Sequence, residues 1–171
     1  MSSFVVVVAG GTAVVLLLSL SAFFSSSETA VFSLPREWIE QQATTGDRRA
    51  HVLKSLHDDP HRLLVTLLVG NNIVNIAISS ITTVLVASYL SPGPAVVVTT
   101  VLTSFLILIF GEIVPKAFGL ANAENWALTI ASPIRLVGRM LSPLITLFDG
   151  ITRRMNALIP VEEHIEKPYM D

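Results

Sequence analysis

Phe110-Gly-Glu-Ile-Val-Pro-Lys116 closes a run from Leu63 to Gly111 that holds no charged side chain. An ionised residue deep in a bilayer costs at least ~2.5–3.5 kcal/mol. Glu112 therefore either stands at the interface or holds a cation, and Pro115 favours the second. If the residues before it are helical, Pro115 has no N–H to give to the carbonyl four residues back, that of Gly111. A bared backbone oxygen beside a carboxylate, where a glycine allows close approach, offers oxygens to a hard cation.

Working outward, the rest of the chain has the same apolar character. It is 51% hydrophobic and 14% charged, with a mean hydropathy of +0.66, which excludes an ordinary soluble domain. It contains no cysteine, so disulfides and thiolate metal sites are excluded. The first 27 residues carry no charge, and all eleven Lys and Arg fall in two blocks, 36–62 and 116–167. A span needs about 20 mostly apolar residues, so one lies within about 4–32 and the run from Leu63 must hold two. These part at Ser91-Pro-Gly-Pro94, giving spans of about 63–90 and 95–114. The charged blocks belong in the cytoplasm by the positive-inside rule, so three spans run N-out and C-in. A cleaved signal peptide does not fit residues 1–30, which lack a basic start and are apolar for too long.

The connector 35–62 reads as a cytoplasmic helical hairpin around the turn Thr44-Thr-Gly-Asp47. His57 and His61 have helical spacing, but Pro60 stands between them and Asp58-Asp-Pro60 looks like the cap of the next helix, which argues against zinc. Beyond the spans, apolar residues recur at alternating intervals of four and three through about 124–158. This predicts an amphipathic belt helix, bent by Pro133 and Pro143, whose Arg135 and Arg139 reach lipid headgroups. A fourth span through Trp126–Phe148 would place Arg153 and Arg154 outside, against the charge rule. Residues 1–160 form the transmembrane domain, and the polar stretch 161–171 reads as the start of a truncated cytoplasmic region.

Two further polar clusters fall within the spans. Ser21, Ser25 and Glu28 share one face of the first helix, and Asn71 and Asn75 share one face of the second. Counted along the helices, both clusters lie within one or two turns of the level of Gly111-Glu112, on the cytoplasmic side of the midplane. The candidate ligands are the Ser21 and Ser25 hydroxyls, the Asn71 and Asn75 amide oxygens, the Gly111 carbonyl and the Glu112 carboxylate. An all-oxygen set suits Mg²⁺, Ca²⁺ or Na⁺ and argues against zinc or copper. Glu28 offers a second charge at a neighbouring site.

With Ser21-x-x-x-Ser25, Gly70-Asn-x-x-x-Asn75 and Gly111-Glu-Ile-Val-Pro115 in three successive spans, the whole chain resembles the transmembrane domain of the CNNM (cyclin M)/CorC magnesium transporters. The resemblance implies an all-α membrane protein with three transmembrane helices, a cytoplasmic helical hairpin and a belt helix, homodimeric in the cell membrane. It implies Mg²⁺ as the transported ion and Na⁺ as the exchanged one, in an export reaction through an inward-facing acidic cavity. The family's ion ligands then fall on Ser21, Ser25, Asn71, Asn75, Gly111 and Glu112, with no role assigned to Glu28. Full-length members continue into a C-terminal nucleotide-binding domain. The implied partners are that domain, a second copy and the bilayer, with no nucleic acid and no enzymatic activity. Two alternatives stay open: a non-transporting magnesium sensor or regulator, and a Na⁺-coupled carrier of another small substrate.

Overall fold

The computed structural model describes residues 3–158, and the stretch 161–171 lies outside the described residues. Every element among the described residues is helical. Three are long and apolar enough to cross a membrane: Phe4–Ser33, Pro60–Ala87 and Pro92–Ala121.

The first, α1 (Ser3–Ser33), is the post on which the others pack: α4 (Pro60–Ala87), the third span and α7 (Ala123–Met140) all lie against it. The outward faces of the spans expose large apolar side chains such as Leu16, Ile76, Val84, Val97 and Val101. Such a surface suits lipid and would be costly in water. Burial concentrates instead at the end of the bundle that carries the charged connector. There Val31, Ile39, Leu53, Leu67, Ile130 and Ile134 are almost wholly enclosed.

That connector folds as the expected hairpin, α2 (Arg36–Thr44) and α3 (Arg48–His57). Gly46 takes the left-handed conformation in the turn, φ 82°, which costs glycine nothing. Asp47 caps α3 by accepting from the Arg49 N–H at 2.8 Å, and the Arg49 guanidinium closes on the same carboxylate at 3.0 Å. That guanidinium, together with the N–H, holds the Asp47 carboxyl below the usual carboxylate range. Asp59 caps α4 in the same way, accepting from the Arg62 N–H at 3.1 Å, and Pro60 occupies the first turn, where its missing N–H is not needed.

Two expectations about helix ends do not hold. The third span does not stop at Val114. It runs as α5 (Pro92–Leu106), a π-helical stretch (Ile107–Ile113) and α6 (Val114–Ala121) without leaving the helical path. The π stretch is the physical reason: the Val114 N–H reaches back five residues to the Ile109 carbonyl, so the ladder has already slipped by one when Pro115 arrives. Proline's clash with the carbonyl four residues back is relieved by widening the helix rather than by ending it.

The predicted belt is also not one helix. It is α7 and α8 (Ser142–Leu158), which meet at Leu141 with a bend of 68°. Pro133 stays inside α7, whereas Pro143 lies in the first turn of α8 and starts a new helix rather than bending an old one. By length and composition the bent pair passes as a fourth crossing. Yet α7 buries Ala127, Ile130, Ala131 and Ile134, and its neighbours are α3, α1 and α4, so its apolar face is spent on the hairpin end of the bundle.

Candidate ion site

Where α1, α4 and the π stretch cross, three of the polar clusters meet. The Ser21 hydroxyl, fully buried, stands 3.0 Å from Asn71 Oδ1 and 2.9 Å from Asn75 Oδ1. The π stretch approaches the same hydroxyl, because a Cβ on Gly111 would lie 2.7 Å from Ser21 Oγ. Any side chain at 111 would therefore push either the serine or the backbone away. Gly70, beside the asparagines, is held to glycine by the Phe24 ring, which a Cβ would meet at 2.7 Å.

The hydroxyls of α1 divide into two kinds. Ser19, Ser26, Thr29 and Ser33 each donate to a carbonyl three or four residues back on their own helix. This is the usual way an apolar helix absorbs a hydroxyl. Ser21 does not, and Ser25, one turn on, is buried with no hydrogen-bond partner, as is Ser27 outside the candidate set. A hydroxyl has one proton, so Ser21 satisfies one amide oxygen at a time and leaves the other facing an oxygen. The cluster as oriented turns three oxygens toward one another, an arrangement that suits a cation. Neighbouring oxygens roughly 2.0–2.1 Å from an octahedral Mg²⁺ stand about 2.9 Å apart. That is the separation already present, so a cation could replace the shared proton with little movement.

Of the six expected ligands, the fold brings Ser21, Asn71, Asn75 and the Gly111 backbone together. Ser25 lies on the same face of α1 with its hydroxyl free. Glu112 follows Gly111 in the π stretch, half-buried, and among the described residues its carboxylate makes no hydrogen bond or ion pair. Glu28 is placed differently: its carboxylate is 3.6 Å from the Lys116 ammonium, an ion pair that ties α1 to α6 at the charged end. Asn72 turns back to its own helix, donating to the Leu68 carbonyl at 2.9 Å. Among the described residues no group of three or more His, Cys, Asp or Glu gathers.

Sequence reading missed three supports of this crossing. Trp126 of α7 donates from Nε1 to Ser26 Oγ at 3.1 Å, and its ring meets Phe118 edge-on at 5.4 Å. A side chain at Gly119 would run into the Ser26 carbonyl, so α6 lies directly on the α1 backbone. Gly111, Pro115 and Gly119 recur every four residues and are all buried, a stripe that was visible in the sequence as a close-packing signal.

The sequence model of the family described as "Cyclin M transmembrane N-terminal domain" matches residues 12–171. The UPF0053 inner membrane protein YfjD of Escherichia coli is 31% identical over 146 residues, covering 85% of this chain and 34% of YfjD. The UPF0053 protein sll1254 of Synechocystis is 35% identical over 132 residues, 77% of this chain and 38% of that protein. A DUF21 domain-containing chloroplastic protein of Arabidopsis thaliana, At1g55930, is 32% identical over 129 residues, 73% of this chain and 19% of that protein. The chain thus spans from about a fifth to little more than a third of the length of these relatives. By the reach of that match, over all but the first eleven residues, the chain belongs to the CNNM transmembrane family.

Proposed function

We propose that this chain is the ion-translocating domain of a Mg²⁺ transporter, and that it exports Mg²⁺ in exchange for Na⁺ across the cell membrane. The observation that carries the reading is the gathering of the Ser21, Asn71 and Asn75 oxygens, pressed against Gly111 and followed by the unpaired Glu112. In the proposal Ser21, Ser25, Asn71, Asn75, the Gly111 carbonyl and Glu112 replace the ion's water, and Glu112 supplies the formal charge that offsets dehydration. The Glu28–Lys116 pair stands beside this set, not within it.

The remaining parts take the places that family resemblance and charge assign them. The spans run N-out and C-in, so the α2–α3 hairpin and the site's open side face the cytoplasm. Helices α7 and α8 lie along the inner interface as the belt. A second copy completes the cavity by two-fold symmetry, since three helices enclose one poorly. A nucleotide-binding domain of the full-length protein acts on the carrier from the cytoplasmic side. The protein is a carrier, with no catalytic residue.

The test is flux in sealed proteoliposomes with the Mg²⁺ and Na⁺ gradients varied independently. Mg²⁺ movement that follows an opposed Na⁺ gradient supports exchange. Mg²⁺ binding without movement under any gradient would replace the transporter with a sensor.

A further inference from the structure

Away from the ion site, the charged end of the bundle holds a cleft of about 200 Å³ between the start of α4 and α7. Arg62, Arg135 and Arg139 line it, with Asp59 as the opposing charge. Asp59 is already engaged in capping α4 through the Arg62 N–H. Among the described residues none of the three guanidinium groups is in an ion pair, whereas Arg36 and Arg49 of the hairpin both are. Three unpaired guanidinium groups around one cleft repel each other unless an anion joins them, and their planar donor forks match phosphate oxygens.

A second feature says which anion. Arg62 Nη2 donates to Ser142 Oγ at 2.9 Å, at the first residue of α8. Further along the same two helices lies a largely apolar groove of about 370 Å³, lined by Val65, Ile73, Ile76, Leu144 and Phe148, with Asn72 at its wall bonded back to its own helix. From Arg62 to Ile76 the helix rises about 21 Å, more than the roughly 15 Å of hydrocarbon in one leaflet. Basic cleft and apolar groove thus follow one another along α4, Arg62 of the first standing about one turn before Val65 of the second, in the order in which a lipid presents headgroup and tail.

We infer that this pair of features is a binding site for one anionic phospholipid of the leaflet at the charged end, its phosphate on Arg62, Arg135 and Arg139 and an acyl chain along α4 and α8. This differs from general headgroup contact by a belt, because it requires one lipid in one place and joins α4 to the α7–α8 bend. It does not depend on the ion site, and its failure would leave the Mg²⁺ reading untouched.

The full chain is purified in mixed micelles containing equal parts of phosphatidylglycerol and phosphatidylcholine, and the lipids it retains are counted by native mass spectrometry. Parent protein should keep phosphatidylglycerol in preference. Each Arg→Gln change at 62, 135 or 139 should weaken its retention about fivefold, and the triple variant should lose the preference. Leu144→Asn, in the groove, should also release it. Equal retention of the two lipids by the parent, or an undiminished preference in the triple variant, would overturn the assignment. A competition on the parent alone covers the case in which the triple variant does not fold. Inorganic phosphate should fail to displace phosphatidylglycerol at equal concentration, and displacement would reduce the site to a free-phosphate cleft and sink the lipid reading.

Discussion

Thr100 and Ser21 are both hydroxyls within apolar spans, and the two ends of the bundle treat them in opposite ways. At the end far from the charged hairpin, Thr12, Ser80, Thr83 and Thr100 all donate to carbonyls four residues back on their own helices. Thr82 and Thr99 are buried there without partners, but from Ile76 to Phe110 the sequence has no amide or carboxylate side chain for them to meet. Nearer the charged end, Ser21 turns away from its own helix toward two asparagines of another, beside a glycine of a third. The lesson is that hydroxyls alone mark packing. A site needs them aimed off their own helix, in company with stronger oxygens.

The largest effect expected from breaking this contrast is at Glu112. Glu112→Gln keeps the shape and removes the one formal charge of the set, so Mg²⁺ binding should fall below detection in calorimetry while the fold survives. Unchanged affinity would show that the carboxylate is not a ligand. Next comes Gly111→Ala, whose methyl would press on Ser21 Oγ. Overpacking of this kind costs about 1–3 kcal/mol, so both the melting temperature and Mg²⁺ affinity should drop, and a variant matching the parent in both would mean that the π stretch does not touch the serine.

Pro115→Ala should have a smaller and more selective effect. A proline inside a helix costs ~3 kcal/mol or more, so without ion the variant should be at least as heat-stable as the parent. A restored N–H would let the ladder return from the five-residue to the four-residue register, close on the Gly111 carbonyl and draw that oxygen away from the cation. The Mg²⁺-induced rise in melting temperature should then shrink, since that rise follows RT ln(1 + [L]/Kd). An equal rise in parent and variant would remove the carbonyl from the ligand set. The smallest effect is expected at the far end: Thr100→Val should change stability by no more than about 0.5 kcal/mol and leave Mg²⁺ affinity alone.

Much of this contrast is legible in the sequence for simple reasons. The charge-free runs and Ser91-Pro-Gly-Pro94 define three spans because a bilayer tolerates neither charge nor an open turn. The hairpin could be read from Gly46 and from the caps Asp47 and Asp59, which act on their immediate neighbours. That Ser21, Asn71 and Asn75 share a depth follows from helical rise alone. The π stretch was not legible, because a one-residue slip in the ladder leaves no mark on composition, and Pro115 reads equally well as a stop. The bend expected at Pro143 is there, at Leu141, but that it ends one helix and starts another was not legible. Pro133 and Pro143 look alike in sequence, and only position within a turn makes one an interior residue and the other a helix start. Contacts such as Trp126 to Ser26 join residues a hundred apart, which no local pattern announces.

The central claim is that Ser21 serves a cation and Thr100 only its own helix, and calorimetric titration of Mg²⁺ into Ser21→Ala and Thr100→Val, side by side with the parent, tests it most directly. The account predicts that Ser21→Ala loses about tenfold or more in affinity, the equivalent of about 1.4 kcal/mol, while Thr100→Val titrates like the parent. If Ser21→Ala also titrates like the parent, the hydroxyl, its two asparagines and the glycine behind it are a packing contact, and the ion binds elsewhere.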